Sequence, residues 1–386
     1  MFYLNMNAIV AMAGMVAVLM LTRWWPQNKR ILTLAFSVCF LLLFSQKLLV
    51  FYTVYTLTNY AAFVFLCRVR KVRLALFLFL IAANLVAVFL GVRLFAMGIF
   101  SHPMFDAIIY LGLIYNVLKI IDALYFAYFF GKEGQASALD YCSYILFIPT
   151  FTSGPILKFR DFMADSKQPY RMDAASFEAG IKRIILGLFK KIVVVTWMTG
   201  IFNQVLGQDL HTHQSLFLMI WFYALIYFDF SGYSDIAVGF GRLMGYTVPE
   251  NFKKPFLSPT LTQYWRNWHA TLGDWFRDHI FMFFSRKTPS RLTAAGLSML
   301  IMVLIGLWHG FSWLYLIWGV YHGFLLALEN LLQLSTVNKK KVSKGYFYFR
   351  CLATQALVTL AVIIYSPDHE AVLRIYKGLL HLPSFP

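Results

Sequence analysis

Charged residues are scarce in this 386-residue chain, and acidic ones especially so. Only 13% of the residues are charged, and 17 Asp and Glu stand against 34 Lys and Arg, while 60% are hydrophobic. A soluble domain is nearer a quarter charged and half apolar, so this composition excludes an ordinary soluble domain. Several apolar runs reach the roughly 20 residues that cross a bilayer core. Because backbone groups in lipid must be hydrogen-bonded within their own segment, we predict an all-α polytopic membrane protein.

Cysteine is scarce as well. The four cysteines are scattered and form no CxxC pair: Cys39, Cys67, Cys142 and Cys351. The sequence therefore indicates neither a disulfide framework nor a zinc site. The first apolar run, residues 7–24, lacks both a cationic segment before it and a small-residue cleavage site. We expect it to be retained as a span.

The net charge of +17 would suggest a nucleic-acid partner in a soluble protein. Here the basic residues mark the ends of apolar runs, as in 23–30 and 68–73. The positive-inside rule and attraction to anionic lipid account for this pattern, so we predict membrane lipids, and no nucleic acid, as partners. If both loops face the cytoplasm, the N-terminus and the segment 98–103 lie outside.

Apolar runs divide the chain into spans and partial spans. They are 7–24, 31–44, 48–66, 74–97, 107–130, 139–152, 174–202, 215–228, 290–307, 311–334 and 346–365. The short run 139–152 ends in Thr-Ser-Gly-Pro, which is typical of a re-entrant segment. We expect the polar segment 158–173 to be an interfacial loop and 366–386 to be a short, mixed tail.

One of these spans, 107–130, carries three polar residues, Asn116, Lys119 and Asp122, at intervals that place them on one helix face. Two interpretations remain open. The lysine and the aspartate form a pair buried against neighbouring helices, or they belong to a substrate path.

Polar side chains concentrate in residues 228–322, which hold four of the nine histidines. Such groups are costly at membrane depth and are therefore candidates for function. Residues 229–235 resemble a Gly-x-Ser-x-Gly elbow, but Ile236 stands where the second glycine is required, so a serine hydrolase is disfavoured. Asp229 and Asp235 need partners, and Arg242 is a candidate. Glycines at 232, 239, 241 and 245 favour close helix packing.

A tryptophan-rich stretch follows at 264–284. On a continuous helix, one face would hold Trp265, Trp268, His269, Leu272, Trp275, Phe276 and His279. A membrane-interface belt accounts for the tryptophans. It accounts poorly for His269, because both nitrogens of a buried imidazole need partners. The ten-residue spacing of His269 and His279 disfavours a zinc site.

His309 lies between Trp308 and Gly310, near the end of an apolar run. The glycine allows a substrate or another helix to approach the imidazole closely. Imidazole is the side chain best suited to act as a base near neutral pH. Spacing alone leaves two alternatives open, a catalytic histidine and a packed core histidine.

The polar motifs, taken in order, resemble those of the membrane-bound O-acyltransferase (MBOAT) family. They are DFSGYSDIAVG at 229–239, PENF at 249–252 with PF at 255–256, WRNWHATL at 265–272 with WFRD at 275–278, and LWHG at 307–310. Their order and spacing are similar to the bacterial polysaccharide branch of the family. PTFTSGPI at 149–156 and YHG at 321–323 look most like the proteins that transfer D-alanyl groups to teichoic acid.

The resemblance implies a ring of transmembrane helices with re-entrant segments around a central tunnel. It implies one membrane domain over 1–386, with peripheral helices in 1–138, a catalytic core in 139–323 and C-terminal helices in 324–386. His309 matches the catalytic histidine of the family and His269 matches its second motif histidine. The candidate substrate and tunnel residues are Trp265, Trp268, Asp229, Ser231, Tyr233, Ser234, Asp235, Arg266, Trp308 and Trp275.

The implied reaction moves an acyl group from a phosphopantetheine thioester to a hydroxyl of teichoic acid or of a relay partner. The resemblance favours D-alanyl as the acyl group. His309 would take the hydroxyl proton, and donors near the 265–269 turn would stabilise the oxyanion. The expected partners are a cytoplasmic acyl carrier protein, a small single-span membrane peptide and an envelope polysaccharide, at the bacterial cytoplasmic membrane. No bound cofactor and no metal are expected.

Two alternative functions remain. One is an O-acetyltransferase for an exported polysaccharide or peptidoglycan, which keeps the same fold. The other belongs to a different class, a transporter or flippase that uses Lys119, Asp122 and Asp229 as a charge relay.

Overall fold

The computed structural model describes residues 6–25, 28–44, 46–96, 112–281, 289–310, 312–366 and 368–380. Within these ranges the regular elements are helices, and none is a strand. Eight helical segments among them are long and apolar enough to cross a membrane. The all-α, multi-pass prediction is therefore confirmed. The segment 98–103 and the start of the predicted span 107–130 lie outside the described residues.

The amino-terminal helices follow the predicted spans closely. They are α1 (Met6–Leu21), α2 (Asn28–Phe44), α3 (Gln46–Arg68), α4 (Arg73–Ala96) and α5 (Leu113–Phe130). α6 (Ala138–Ile145) is short and gives way to a 3₁₀ turn at Ile148–Thr150, which confirms an interrupted segment there. The predicted loop at 158–173 is partly wrong, because α7 (Phe159–Ser166) forms within it. Its buried Phe159 and Phe162 give this helix an apolar face to pack.

Two long helical runs come next. α8 (Ala174–Leu188) continues through a π-helical turn at Phe189–Val194 into α9 (Val195–Leu206). α10 (Thr212–Leu243) has 32 residues, so the predicted span 215–228 is too short and the polar 229–235 motif belongs to the same helix. A Cβ on Gly239 would lie 2.6 Å from Ile184 Cγ1 and 2.8 Å from the Gly180 carbonyl oxygen. Close helix packing at Gly239 is therefore confirmed.

The tryptophan-rich stretch is not one continuous helix, and that prediction is wrong. It forms α11 (Leu261–Asn267), α12 (Ala270–Phe276) and a π-helical turn at Arg277–Phe281. The chain closes with α13 (Arg291–His309), α14 (Trp313–Leu331), α15 (Lys344–Val362) and α16 (His369–Leu379). The last of these lies within the predicted mixed tail.

The described chain forms two compact units. The first comprises Met1–Leu188 with Tyr233–Pro249, and the second comprises Phe189–Gly232 with Glu250–Pro386. The division into 1–138, 139–323 and 324–386 stays a prediction.

In the first unit, the predicted Lys119–Asp122 pair is wrong. Lys119 is buried, and its ammonium lies 3.4 Å from the carbonyl oxygens of Tyr144 and Ile145, at the C-terminal end of α6. Asp122 accepts a hydrogen bond from the backbone N–H of Phe159, in the first turn of α7. Lys119 thus lies at carbonyl groups at the C-terminal end of α6, and Asp122 lies at an N–H group at the start of α7. Helix ends leave such backbone groups without helical partners. The helix dipole favours a positive charge at the C-terminal end and a negative charge at the N-terminal end.

Candidate active site

A cavity of about 440 Å³ lies within the second unit. Its wall is mostly apolar and is built by α10 to α14 together with Tyr365. Six of the predicted site residues line it: Asp229, Trp265, Arg266, Trp268, His269 and His309. Both motif histidines therefore reach one cavity, although they lie 40 positions apart in the sequence.

His269 sits at a sharp break between two short helices. α11 ends where the Trp268 N–H donates to the Tyr264 carbonyl oxygen at 2.7 Å, and His269 then adopts a left-handed backbone conformation with φ 46°. A residue with a Cβ in this conformation costs roughly 1–2 kcal/mol. The turn starts α12 in a new direction and leaves the imidazole on the cavity wall.

Asn251 holds this turn in place. Its carbonyl oxygen accepts from the Ala270 N–H at 2.9 Å, and its side-chain oxygen accepts from the Thr271 hydroxyl at 2.8 Å. The side chain is fully buried. The sequence indicated a motif at 249–252 but no role for this asparagine. Its signal was an amide side chain between two prolines, Pro249 and Pro255, within the family motif.

The His269 ring is packed among aromatic side chains. The ring centroid of Phe230 lies 4.6 Å away and that of Trp308 lies 6.1 Å away. Burial lowers the pKa of His269 well below 6.5, and the nearby His309 lowers it further. The imidazole is therefore neutral at physiological pH. Its Nε2 has no hydrogen-bond partner among the residues that the structure describes.

His309 is the last residue of α13 and meets the edge of Tyr365, with ring centroids 4.8 Å apart. A Cβ on Gly310 would lie 2.7 Å from the Tyr315 ring. Gly310 thus permits the close approach of another helix, α14. The sequence predicted that either a substrate or another helix would approach at this glycine. The imidazole lines the cavity at the same time, so it is not only a packed core side chain.

Two carboxylates that line the cavity, Asp229 and Asp274, are paired with basic side chains. Asp229 binds the ammonium of Lys191, and Asp274 lies 2.8 Å from Arg277. In the first unit, Asp235 lies 2.5 Å from Arg183. Arg242 is exposed, so its predicted role as their partner is wrong. The actual partners lie 38 and 52 residues away along the sequence, where only tertiary packing brings them close.

The remaining candidates lie elsewhere. Tyr233 and Ser234 belong to the first unit with Asp235, and Ser231 accepts from Lys190 in the second. Trp308 contacts both motif histidines through its ring without lining the cavity. Trp275 stacks on His279, with ring centroids 4.3 Å apart.

His322 is buried between two tryptophans. Its ring centroid lies 5.0 Å from that of Trp265 and 4.8 Å from that of Trp318. This side chain packs behind Trp265, which lines the cavity.

Glu329 was missed by the sequence analysis. Its carboxylate accepts hydrogen bonds from the backbone N–H groups of Leu261 and Thr262, both at 2.8 Å. These are among the donors that the start of α11 leaves without helical partners. An acidic residue in an otherwise apolar span was the signal that could have identified it.

Comparison with known proteins places this chain in one family. The model of the membrane-bound O-acyltransferase family matches residues 8–349. A probable alginate O-acetylase of Pseudomonas fluorescens is 29% identical over 70% of this chain and 54% of its own length. A teichoic acid D-alanyltransferase of Bacillus subtilis is 31% identical, over 60% and 62% respectively. A peptidoglycan O-acetyltransferase of Helicobacter pylori is 28% identical, over 63% and 47%.

The chain spans about half the length of the alginate O-acetylases that it matches. The family match nevertheless extends from α1 into α15 and includes every motif histidine. The chain belongs to the membrane-bound O-acyltransferase family.

Proposed function

We propose that this chain is a bacterial membrane O-acyltransferase that carries out acyl transfer in the 440 Å³ cavity. The observation that carries the proposal is the meeting of His309 and His269 on the wall of one mostly apolar cavity. A mostly apolar wall lowers the local dielectric constant and so strengthens electrostatic interactions of the groups that face the cavity. It therefore suits a reaction that develops charge on a carbonyl oxygen.

His309 is the proposed general base. It takes the proton of an acceptor hydroxyl while the hydroxyl oxygen attacks the carbonyl carbon of an acyl thioester. The tetrahedral intermediate then breaks its carbon–sulfur bond, and the departing thiolate takes the proton back from His309. The edge-on contact with Tyr365 fixes the plane of the imidazole for both proton transfers.

His269 and Trp265 are the proposed oxyanion donors. Both line the cavity, and their Nε2 and Nε1 atoms have no hydrogen-bond partner within the described chain. A neutral imidazole with its proton on Nε2 donates a hydrogen bond without bringing a second positive charge. The low pKa of His269 supports this neutral form. A preorganised donor of this kind typically lowers the activation free energy by about 3–4 kcal/mol.

D-alanyl is the first candidate for the acyl group. The motifs at 149–156 and 321–323 favour it, as does the similarity to a teichoic acid D-alanyltransferase. Two carboxylates on the cavity wall, Asp229 and Asp274, would accept hydrogen bonds from its ammonium group. The donor would be a phosphopantetheine thioester on a carrier protein, and a small single-span protein would pass the group to teichoic acid.

Acetyl is the second candidate, and one observation favours it. Asp229 is paired with Lys191 and Asp274 with Arg277, so both negative charges are already balanced. An uncharged acetyl group needs no carboxylate. The acceptor would then be an exported polysaccharide or peptidoglycan. A transport relay through Lys119 and Asp122 has less support, since both side chains bind backbone groups at helix ends.

The test uses the purified chain in lipid nanodiscs with a carrier protein loaded with radiolabelled D-alanyl or acetyl groups. We expect transfer to an added hydroxyl acceptor from one donor, and a loss of about 10²- to 10⁴-fold in His309→Ala. His213→Ala, an exposed histidine in α10, is the matched control and should keep wild-type activity. Transfer from neither donor, or equal transfer in His309→Ala, would refute the proposal.

A further inference from the structure

A second cavity of about 900 Å³ opens in the second unit on the other side of α11. Its lining includes Gln263 and Asn267 of α11, Lys339 and Lys341 of the following connector, and Tyr346 and Arg350 of α15. It contains three cationic side chains and, among the described residues that line it, no carboxylate. Below, we refer to this cavity as the basic groove.

Two of the three cationic side chains of the basic groove, Lys339 and Arg350, contact aromatic side chains. The ammonium of Lys339 lies 5.3 Å from the Phe347 centroid and 5.5 Å from that of Tyr348. Nη1 of Arg350 donates to the Tyr346 hydroxyl at 3.2 Å. Within the part of the chain that the structure describes, none of the three cations forms an ion pair with a carboxylate. The groove therefore has the positive charge that would bind an anion.

The surroundings of the basic groove match a membrane surface. Tyr348 and Phe349 are 50% and 65% exposed at the start of α15, and Leu332 is 63% exposed at the end of α14. The groove lies in the connector between two apolar segments, Trp313–Leu331 and Lys344–Tyr365. Aromatic side chains are enriched at the membrane–water interface, and short basic connectors favour the cytoplasmic leaflet, which carries the anionic lipids.

We propose that the basic groove binds the phosphate headgroup of an anionic phospholipid. The three cations supply the charge complementarity. The exposed Leu332, Tyr348 and Phe349, which adjoin lining residues in the sequence and are called the apolar edge here, suit the acyl chains. A soluble acidic protein would not require this apolar edge. The lipid is therefore the occupant that the observations favour over a protein partner.

Occupancy of the groove is linked to the reaction cavity through α11. The Thr260 hydroxyl donates to the Ser335 carbonyl oxygen at 2.9 Å, and Gln263 exchanges two hydrogen bonds with the backbone of Val337. The same short helix presents Trp265 and Arg266 to the reaction cavity. A bound headgroup would therefore fix the connector against the helix that carries two cavity residues.

The test is a titration of the purified chain in neutral detergent with phosphatidylglycerol or phosphatidylcholine, followed by native mass spectrometry. The variant Lys341→Gln/Arg350→Gln removes two charges from the groove. The control Lys340→Gln/Lys344→Gln removes two exposed charges of the same segment that do not line it. Thermal unfolding of both variants checks that they remain folded.

We expect phosphatidylglycerol to bind the groove variant at least about tenfold more weakly than the control variant, since each basic residue near an anionic surface contributes appreciably. Phosphatidylcholine should bind all proteins weakly and equally. An equal loss of phosphatidylglycerol affinity in both variants would overturn the proposal. The lipid would then respond to the total positive charge of the segment and not to the charges that line the groove. Displacement of the lipid by equimolar inorganic phosphate, or by an acidic carrier protein, would also overturn it.

Discussion

The side-chain oxygen of Asn251 accepts a hydrogen bond from the hydroxyl of Thr271 at 2.8 Å, two residues beyond His269. The same asparagine binds the Ala270 N–H through its carbonyl oxygen. His269 is therefore followed directly by two residues that are hydrogen-bonded to the buried Asn251. Its left-handed backbone conformation is maintained by these bonds rather than by the intrinsic preference of histidine.

Asn251→Ala should release this turn. Moving a reacting or stabilising group by about 1 Å can cost on the order of 100-fold in rate, and we expect a loss of that size in acyl transfer. The assay is single-turnover transfer by the purified variant. Asn203→Ala, at an exposed position of α9, should retain full activity. Undiminished transfer in Asn251→Ala would show that the turn at His269 does not depend on the side-chain hydrogen bond of Asn251.

Glu329→Ala should destabilise the second unit. The substitution leaves the N–H groups of Leu261 and Thr262 without their acceptor, and a buried unsatisfied group costs about 1–3 kcal/mol. Thermal unfolding in mild detergent measures the change. Glu178→Ala removes a carboxylate from an exposed ion pair with Lys182 and should have little effect. Equal melting of the two variants would argue against the capping role.

Gly319→Ala should loosen the hairpin of α13 and α14. A Cβ there would lie 2.7 Å from the Met302 carbonyl oxygen and 2.9 Å from Val303 Cα, and backbone atoms cannot move aside easily. We expect a loss of about 1–3 kcal/mol in unfolding free energy. Gly296→Ala, in the same hairpin, meets nothing within 4 Å and should be neutral or slightly stabilising. The reverse order of stability would contradict this packing.

Lys29 should give the first unit a pH-dependent stability. Burial lowers its pKa from 10.5 to about 8, although nearby Asp165 partly opposes the shift. Between these values the unfolded chain holds a proton that the folded chain has lost, so stability should rise with pH from about 8 to 10.5. Below about 8 both states are protonated and the folded state carries the full penalty.

The measurement is the unfolding free energy as a function of pH, in wild type and in Lys29→Met. The variant should lose the rise between pH 8 and 10.5, because it has no ammonium to titrate. Lys71→Met, which replaces an exposed lysine of the same unit, should keep it. A rise of equal size in Lys29→Met would assign the effect to other groups.

Composition and apolar runs predicted the helical membrane fold because a helix is the structure that satisfies its own backbone in lipid. The Thr-Ser-Gly-Pro motif predicted an interrupted segment, but α6 already ends at Ile145, so the predicted end at residue 152 is wrong. Motif order singled out His309 and His269, and both line the cavity.

Other features could not be predicted, because they depend on distant residues. Periodicity suggested a continuous helix through Trp268 and His269, but the hydrogen bonds from Asn251 stabilise a left-handed break there. The partners of Asp229 and Asp235 lie on other helical segments, and spacing along one helix pointed to Arg242 instead. Glu329 lies more than 60 residues from the helix that it caps.

The most direct test of the account is single-turnover acyl transfer by His309→Gln in nanodiscs, with donor binding measured in parallel. Glutamine keeps a polar side chain of similar length but cannot accept and return a proton as imidazole does. We predict unchanged donor affinity and a transfer rate lowered by about 10²- to 10⁴-fold. Transfer at the wild-type rate would contradict the central claim that His309 is the base.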